Sequence, residues 1–154
     1  MINTITIRRL IIADLPAVER IEAEEFYPDV QGEPLDRKQL TSLLVDPEIE
    51  TVVADSWDGT SRAVLGYCVF SKNPGLGWIY IDRIATYPQH AGIGTILIDF
   101  LKADLHDAPN LSYINVGIRE TNDAALESFT AWGFERCGQY KRGPELFYDY
   151  TLEG

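Results

Sequence analysis

The sequence predicts a layered α/β domain (α+β in its layering) in which about four helices flank a mixed sheet of about seven strands. Apolar residues alternate with polar ones in seven short runs, and they recur at helical spacing in four others. These runs follow in the order β-α-α-β-β-β-α-β-α-β-β, which is typical of helices packed on the faces of one sheet. Because 154 residues suffice for one sizeable core, we interpret residues 1–154 as a single domain.

The first third of the chain carries one strand and two helices. Isoleucines alternate with threonine and arginine over residues 2–8, which predicts the first strand. Asp14 has the residue type of a helix N-cap, and Pro16 suits the first helical turn, where its missing N–H costs little. This helix should end near Pro28, since the residue before a proline is disfavoured in a helix. A second helix is predicted over 36–45.

The remaining elements are six strands and two helices. Gly59 lies in a hairpin turn, because glycine readily takes positive φ. Gly77 precedes the central strand, and Gly133 breaks the last helix. The predicted elements around these glycines are strands 50–55 and 63–71, the central strand and its following helix to 105, strand 112–118, helix 123–132, and strands 134–140 and 146–152.

Charge and cysteine content narrow the classes of function. The net charge of −11 argues against binding to a phosphate backbone, so we expect no nucleic-acid partner; it suits a cationic substrate, although acidity also serves solubility alone. No apolar run reaches membrane-spanning length, and the N-terminus does not begin a signal peptide, so we expect a cytoplasmic protein without a membrane partner. Cys68 and Cys137 lack metal-ligand spacing and are predicted to be buried, with no metal bound.

The stretch over residues 77–105 organises the chain: a strand, a turn containing Gly92 and Gly94, and then an amphipathic helix. A helix start leaves backbone N–H groups unpaired, and glycines let an anion approach them. The pattern therefore predicts either a phosphate cradle or a plain tight turn. Strict alternation along the strand places one set of side chains on a shared face, namely Trp78, Tyr80, Asp82, Ile84 and Thr86.

Two segments resemble one known family. The first is IATYP at 84–88 followed by GIG at 92–94 and an apolar helix; the second is Asn122-x-x-Ala125 followed by WGF at 132–134. In this order they resemble the GNAT superfamily of acyl-CoA-dependent N-acetyltransferases, over nearly the full length of the chain. The resemblance implies a GNAT-like mixed sheet and acetyl-CoA as cosubstrate. Because such proteins often form dimers, a homodimer is also an expectation of the resemblance.

The resemblance assigns the coenzyme contacts. In this family the central strand splays from its parallel neighbour, so main chain at Ile84, Ala85 and Thr86 would hold the pantetheine arm and the acetyl group. Asn122 would reach the pantetheine amides, with a plain N-cap as the alternative. The N–H groups expected to take the pyrophosphate belong to His90, Ala91, Gly92, Ile93, Gly94 and Thr95.

The pyrophosphate turn departs from the family pattern. Pro88 is followed by Gly92 after fewer residues than the family usually has. Either Gln89 fills the family's Gln/Arg position and the strand register slides by two, or the turn is shortened. We favour the shorter turn, because residues 81–86 match the family's strand better without a slide.

Acetyl transfer to an amine requires removal of a proton from the amine, and Asp82 is the candidate for that role. The alternative is a solvated carboxylate paired with Arg83 or another basic residue. In polyamine-type members of the family, an acidic residue at the matching position contacts the amine. Tyr80 projects on the same predicted face. The helix–loop residues Glu25, Phe26 and Tyr27 are expected to line the acceptor site.

Two marker residues of the family are replaced here. Phe129 stands where many members carry a proton-donating tyrosine. Gly117 stands where enzymes similar to ribosomal-protein alanine acetyltransferases carry a glutamate on the fifth strand. Tyr140 or Tyr148 could supply a hydroxyl instead, though each is more commonly a strand aromatic. The resemblance thus implies an N-acetyltransferase that acts by direct attack of a primary amine, with a small cationic amine or polyamine as acceptor. A peptide or protein N-acetyltransferase and a non-catalytic acyl-CoA-binding module are the alternatives.

Overall fold

The computed structural model describes residues 4–26, 32–86 and 92–154, and it confirms the predicted fold class. Seven strands form one mixed sheet in the order β1-β2-β3-β4-β5-β7-β6. The strands are β1 (Thr4–Arg9), β2 (Glu50–Trp57), β3 (Arg62–Asn73), β4 (Trp78–Thr86), β5 (Tyr113–Arg119), β6 (Glu135–Arg142) and β7 (Glu145–Glu153). The helices are α1 (Leu15–Glu25), α2 (Arg37–Ser42), α3 (Ile93–Asp107) and α4 (Asp123–Ala131), with a 3-10 turn over Ile12–Asp14.

Strands β4 and β5 separate partway along their length. They are the one parallel pair in the described sheet, and their register runs from Trp78 opposite Tyr113 to Ile81 opposite Val116. Beyond that point β4 continues to Thr86 without pairing to β5. We call the segments where these two strands do not pair with each other, 82–86 of β4 and 117–119 of β5, the fork.

Each face of the sheet has its own apolar core. On one face α3 inserts Leu97, Ile98 and Leu101, all fully buried, against the centre of the sheet. On the other face α1 and α2 cover the sheet through Val18 and Leu40, which are also fully buried. The fork thus opens between a face held by α3 and α4 and a face held by α1 and α2.

A β-bulge at Asp82 interrupts the predicted alternation of β4. Phe70 of β3 lies opposite Ile81, but the preceding Val69 lies opposite Arg83, so Asp82 has no partner of its own on β3. The extra residue shifts the side-chain alternation. Consequently Ile81 and Ile84 both pack on the α3 core, whereas strict alternation predicted opposite faces for them.

Three further local predictions need comment, and the last two are wrong in part. Asp14 is the N-cap residue of α1 as predicted, but its side chain makes no capping hydrogen bond; its carboxylate instead accepts two hydrogen bonds from the Arg8 guanidinium, at 2.8 and 2.9 Å. Helix α2 ends at Ser42, and residues 43–45 form turns. Cys137 is exposed on the edge strand β6, whereas Cys68 is buried as expected. Edge strands bury few side chains, so a strand-like pattern alone could not place Cys137 inside.

Candidate active site

A cleft of about 690 Å³ occupies the fork between β4 and β5. Residues 82–86 of β4, which do not pair with β5, and residues 117–119 of β5 form its floor. The first turn of α3 and the inner side of α4 border it on one side, and the end of α1 borders it on the other. Residues from both faces of the sheet therefore line the cleft.

The start of α3 presents unpaired backbone donors to the cleft. Gly92 is the N-cap residue at φ 108°, a left-handed conformation that favours glycine, and a Cβ added there would meet no described residue within 4 Å. Its carbonyl accepts the N–H of Ile96 at 3.0 Å, which closes the first helical turn. The earlier N–H groups of the turn have no intrahelical partners, so this helix start can bind an anion.

Gly94 serves a purpose that the sequence did not reveal. A Cβ at Gly94 would lie 2.8 Å from Cζ2 of Trp132, so this glycine makes room for an indole ring. The Trp132 Nε1–H donates to Oγ1 of Thr95 at 3.0 Å. Trp132 follows α4, and it thereby joins the end of α4 to the start of α3 across the cleft.

Asn122 is the N-cap of α4. Its Oδ1 accepts the N–H of Ala125 at 3.1 Å, which confirms the capping alternative. Asn122 also lines the cleft, so its amide N–H₂ can still be offered to a ligand. Phe129, further along α4, is 3% exposed and packs edge-to-face on Trp132 and Phe134, with 5.0 Å between ring centroids in each pair. Its ring cannot supply a proton.

The end of β4 offers main-chain groups to the cleft. Ile84, Ala85 and Thr86 lie opposite Cys68, Tyr67 and Gly66 of β3, and all three line the cleft. Their other backbone edge would face β5, but pairing has already stopped at Ile81. An extended ligand could therefore add to this edge as a further strand does.

Arg83 forms a buried ion pair that the sequence analysis missed. Its Nε and Nη2 donate to the carboxylate of Glu22 at 2.8 and 2.7 Å, and Glu22 is fully buried while Arg83 is 19% exposed. The guanidinium also lies 3.8 Å from the ring centre of Phe26. The signal was available: Glu22 directly follows Ile21 in the inward stripe of α1, where an acidic residue needs a buried partner.

The same ion pair fixes the chain after α1. Glu22 Oε1 accepts the N–H of Leu35 at 2.6 Å, and Arg83 Nη2 donates to the carbonyl of Glu33 at 2.9 Å. Glu22 and Arg83 thus attach the segment before α2 to the β4 side of the cleft. Because Arg83 pairs with Glu22, it is not the partner of Asp82, although the alternative interpretation of Asp82 named Arg83 first among its basic partners.

Asp82 lies at the bulge, exposed and on the lining of the cleft. Among the described residues it has no ion-pair partner. Partial burial raises the pKa of its carboxyl above the ordinary value, and the like charge of Asp46 raises it further. A carboxylate with a raised pKa and no cation beside it is a stronger base than an ordinary surface aspartate.

Tyr80 and Tyr140 meet over Gly117. A Cβ added at Gly117 would overlap the Tyr140 hydroxyl and lie 3.2 Å from that of Tyr80. The Tyr80 hydroxyl donates to that of Tyr140, and burial together with this neighbour raises the pKa of Tyr80 to about 12. The Tyr140 ring stacks on Phe147 at 5.2 Å. Tyr148 instead lies under the Arg136 guanidinium, 3.7 Å from its ring centre.

Of the remaining predicted residues, some line the cleft and the others are not among the residues that the structure describes. Glu25 and Phe26, at the end of α1, line the cleft. Tyr27, His90 and Ala91 lie outside the described residues. The structure therefore brings together most of the predicted site, from β4, α3 and α4 as well as α1. No helix in the described parts of the chain is long and apolar enough to cross a membrane.

Solved structures with the same fold have diverse acceptors. The ribosomal-protein-S18-alanine N-acetyltransferase from Escherichia coli is 21% identical, with a TM-score of 0.72 over 97% of this chain and 94% of that one. The spermidine N-acetyltransferase from Vibrio cholerae, in complex with CoA and spermine, is 17% identical, with a TM-score of 0.76 over 97% and 95%. NAA60 from Arabidopsis thaliana, in complex with a bisubstrate analogue, is 16% identical, with a TM-score of 0.75 over 97% and 98%.

At these identities the structural neighbours show the fold. No curated protein sequence matches the chain significantly. The acetyltransferase (GNAT) family model matches residues 15–134, a range that runs from the start of α1 past the end of α4 and includes the whole fork. This chain therefore belongs to the acetyltransferase (GNAT) family.

Proposed function

We propose that this acetyltransferase moves an acetyl group from acetyl-CoA to the primary amine of a small cationic acceptor, without a covalent enzyme intermediate. One observation carries the proposal: the fork has a helix start with N–H groups that lack intrahelical partners on one face, and beside the other face Asp82, a carboxylate without an ion-pair partner among the described residues. The first suits a diphosphate and the second suits an amine that must lose a proton.

The coenzyme side consists of backbone donors and small side chains. Acetyl-CoA would supply the acetyl group as a reactive thioester. The N–H groups of Ile93, Gly94 and Thr95 would hold its pyrophosphate, with His90, Ala91 and Gly92 as further predicted donors. The open space at Gly92 supports this fit, because a side chain there would stand in front of the helix start. The free edge at Ile84, Ala85 and Thr86 would hold the pantetheine arm, with Asn122 across from it.

On the acceptor side Asp82 would act as the general base. The amine nitrogen forms a bond to the acetyl carbon while the carbon–sulfur bond breaks, and the proton released from nitrogen passes to Asp82. The thiolate that leaves must gain a proton or be stabilised by a donor. Since Phe129 has no proton to give, the hydroxyls of Tyr80 and Tyr140 are the proposed donors. The raised pKa of Tyr80, about 12, keeps its hydroxyl protonated near neutral pH.

The acceptor class follows from the charge around this side. Glu25 and Asp82 both line the cleft. The two lining arginines are already paired with carboxylates, Arg83 with Glu22 and Arg119 with Glu145. The carboxylates of Glu25 and Asp82 would attract an ammonium group, and Phe26 and Tyr27 would complete the substrate site. The Vibrio cholerae neighbour, solved with spermine, supports a polyamine as one member of this class.

Acetylation of a peptide or protein amine is the second candidate. The Escherichia coli neighbour acts on a ribosomal protein, and its fold matches 97% of this chain. The absence of a carboxylate at Gly117 and of a hydroxyl at Phe129 favours the small amine. A module that binds acyl-CoA without turnover is the third candidate, since Phe129 replaces the proton-donating tyrosine that many members of the family use in catalysis.

Release of free thiol from acetyl-CoA tests the three candidates. The purified chain is assayed with spermidine, spermine, simple diamines and peptides with free N-termini, and CoA binding is measured by calorimetry. Turnover with the amines at lower KM than with peptides is the expected result. Binding of CoA without turnover on any acceptor would favour the non-catalytic module, and no binding at all would remove the proposal.

A further inference from the structure

Gly117 of β5 has no side chain, and the hydroxyl of Tyr140 from β6 occupies the space that a side chain would need. We propose that Gly117 determines acceptor specificity, because its missing side chain lets Tyr140 join Tyr80 in a hydroxyl pair that closes the acceptor end of the cleft. The inference rests on the proposed function for its substrate, but the contact between Gly117 and the two tyrosines stands on geometry alone.

Space, and not backbone conformation, requires glycine here. Gly117 is absent from the described glycines with positive φ, so its backbone would accept any residue. An added Cβ would nevertheless overlap the Tyr140 hydroxyl and lie 3.3 Å from Tyr140 Cζ. Cβ atoms essentially never approach another heavy atom so closely, so any larger residue must displace the Tyr140 hydroxyl.

Tyr140 reaches β5 by crossing β7. Strand β7 lies between β5 and β6, and Phe147 of β7 is opposite both Arg119 on β5 and Tyr140 on β6. The Tyr140 ring lies flat on the Phe147 ring, with an interplanar angle of 7°. This stack directs the hydroxyl over β7 toward Gly117. The β6–β7 hairpin thereby brings a polar group to Gly117, which lines the cleft together with residues of β4, α1 and α4.

The hydroxyl pair lies where the fork closes. Pairing of β4 and β5 ends where Ile81 lies opposite Val116. Tyr80 directly precedes Ile81 on β4, and Gly117 directly follows Val116 on β5. Val116 and Ile118 are buried in the α3 core, so Gly117 between them faces the opposite side of the sheet. That is the side of α1, whose end borders the cleft.

The pair makes this end of the cleft polar. The groups that act on the Tyr80 hydroxyl are Tyr140, Asp82 and Arg142, and their combined effect with burial keeps it protonated. Negative charge for the acceptor therefore comes from β4, at Asp82, and not from β5. The hydroxyls can accept or donate hydrogen bonds to the acceptor near its reacting amine, and their bulk limits the acceptor to a narrow group at that point.

Three variants test the inference: Gly117→Ala, Tyr140→Phe and the double variant. Each single variant should raise the KM of the acceptor about fivefold to tenfold, the loss expected for one hydrogen bond, and leave the KM of acetyl-CoA within about twofold. The double variant should lose no more than the worse single one, because both changes remove the same hydroxyl pair. Gly138→Ala on β6 is the matched control, since its added Cβ would make only ordinary contacts.

Thermal unfolding of the same variants tests the contact without activity. Gly117→Ala should lower the Tm in the wild-type background and lower it less in the Tyr140→Phe background, where the overlapping oxygen is gone. Additive Tm changes, or a Gly117→Ala variant with unchanged acceptor KM, would overturn the inference. If the wild type acetylates no amine, the proposed function fails, and the unfolding measurements still decide whether Gly117 and Tyr140 are coupled.

Discussion

The two sides of the fork differ in the kinds of chemical group that line them. The side toward α3 and α4 consists of backbone and small or apolar side chains, among them Gly92, Gly94 and Phe129. The side toward α1 carries the charged residues of the described lining, which are Glu25, Asp82, Arg83 and Arg119. One side can bind a ligand through groups that every residue possesses, whereas the other depends on which side chains are brought together.

This difference teaches where each kind of change should act. A helix start with a glycine N-cap works with almost any sequence around it, so substitutions on the coenzyme side act mainly through glycine positions. On the acceptor side the lining arginines depend on carboxylates from elsewhere in the chain, such as Arg83 on Glu22, 61 residues apart. Substitutions there should alter acceptor use and pH dependence.

The largest effect is expected from Asp82→Asn, which removes the proposed base from the acceptor side. Loss of a general base costs about 10²- to 10⁴-fold in kcat, while CoA affinity measured by calorimetry should stay within about twofold. The control is Glu48→Gln, an exposed change of the same charge. A pH–rate profile identical to that of the wild type would exclude Asp82 from the mechanism.

Breaking the buried ion pair should be the largest effect on stability. Glu22→Gln leaves the Arg83 guanidinium without its counter-charge, which costs about 3–5 kcal/mol of unfolding free energy. It should also raise the acceptor KM, because the pair holds the segment before α2. Glu19→Gln on the same helix is the control: Glu19 pairs with Arg37 at the surface, and such pairs contribute about 0–1 kcal/mol. Equal losses measured by urea unfolding would contradict the interpretation.

A smaller effect, confined to the coenzyme side, is expected from Gly92→Ala. An alanine held at φ 108° costs about 1–3 kcal/mol, and its methyl group would stand in front of the helix start. The Kd for CoA should therefore rise about fivefold to a hundredfold with the acceptor KM little changed. Gly75→Ala serves as control, because Gly75 has no positive φ. An unchanged Kd would remove Gly92 from the anion site.

The smallest predicted effect is a shift in pH dependence from Asp46→Asn. The negative charge of Asp46 disfavours ionisation of Asp82, so its removal should lower the pKa of Asp82. Since the base must be ionised, activity falls as pH falls through that pKa, and the variant should retain activity to lower pH. Asparagine keeps the oxygen that accepts the Glu48 N–H, so the local turn is preserved. A shift toward higher pH would contradict the assignment.

Periodicity and turn chemistry predicted most of the architecture. The helix start at Gly92 and the cap at Asn122 depend on residues a few positions apart, and local hydrogen bonds determine both. The bulge at Asp82 was not predictable, because it depends on how β4 is paired to β3 and not on β4 itself. The reason for Gly94 was also hidden, since Trp132 approaches it from another helix.

The amino-acid sequence by itself determined the elements, their order and the glycine-capped start of α3, because each arises from interactions within one turn or one strand. Tertiary structure decided the acceptor side: the pairing of Arg83 with Glu22, the isolation of Asp82 from cations among the described residues, and the meeting of Tyr80 with Tyr140 over Gly117. These contacts join residues on different elements. No local pattern specifies them, because the distances between such side chains exist only once the sheet and its two layers have assembled.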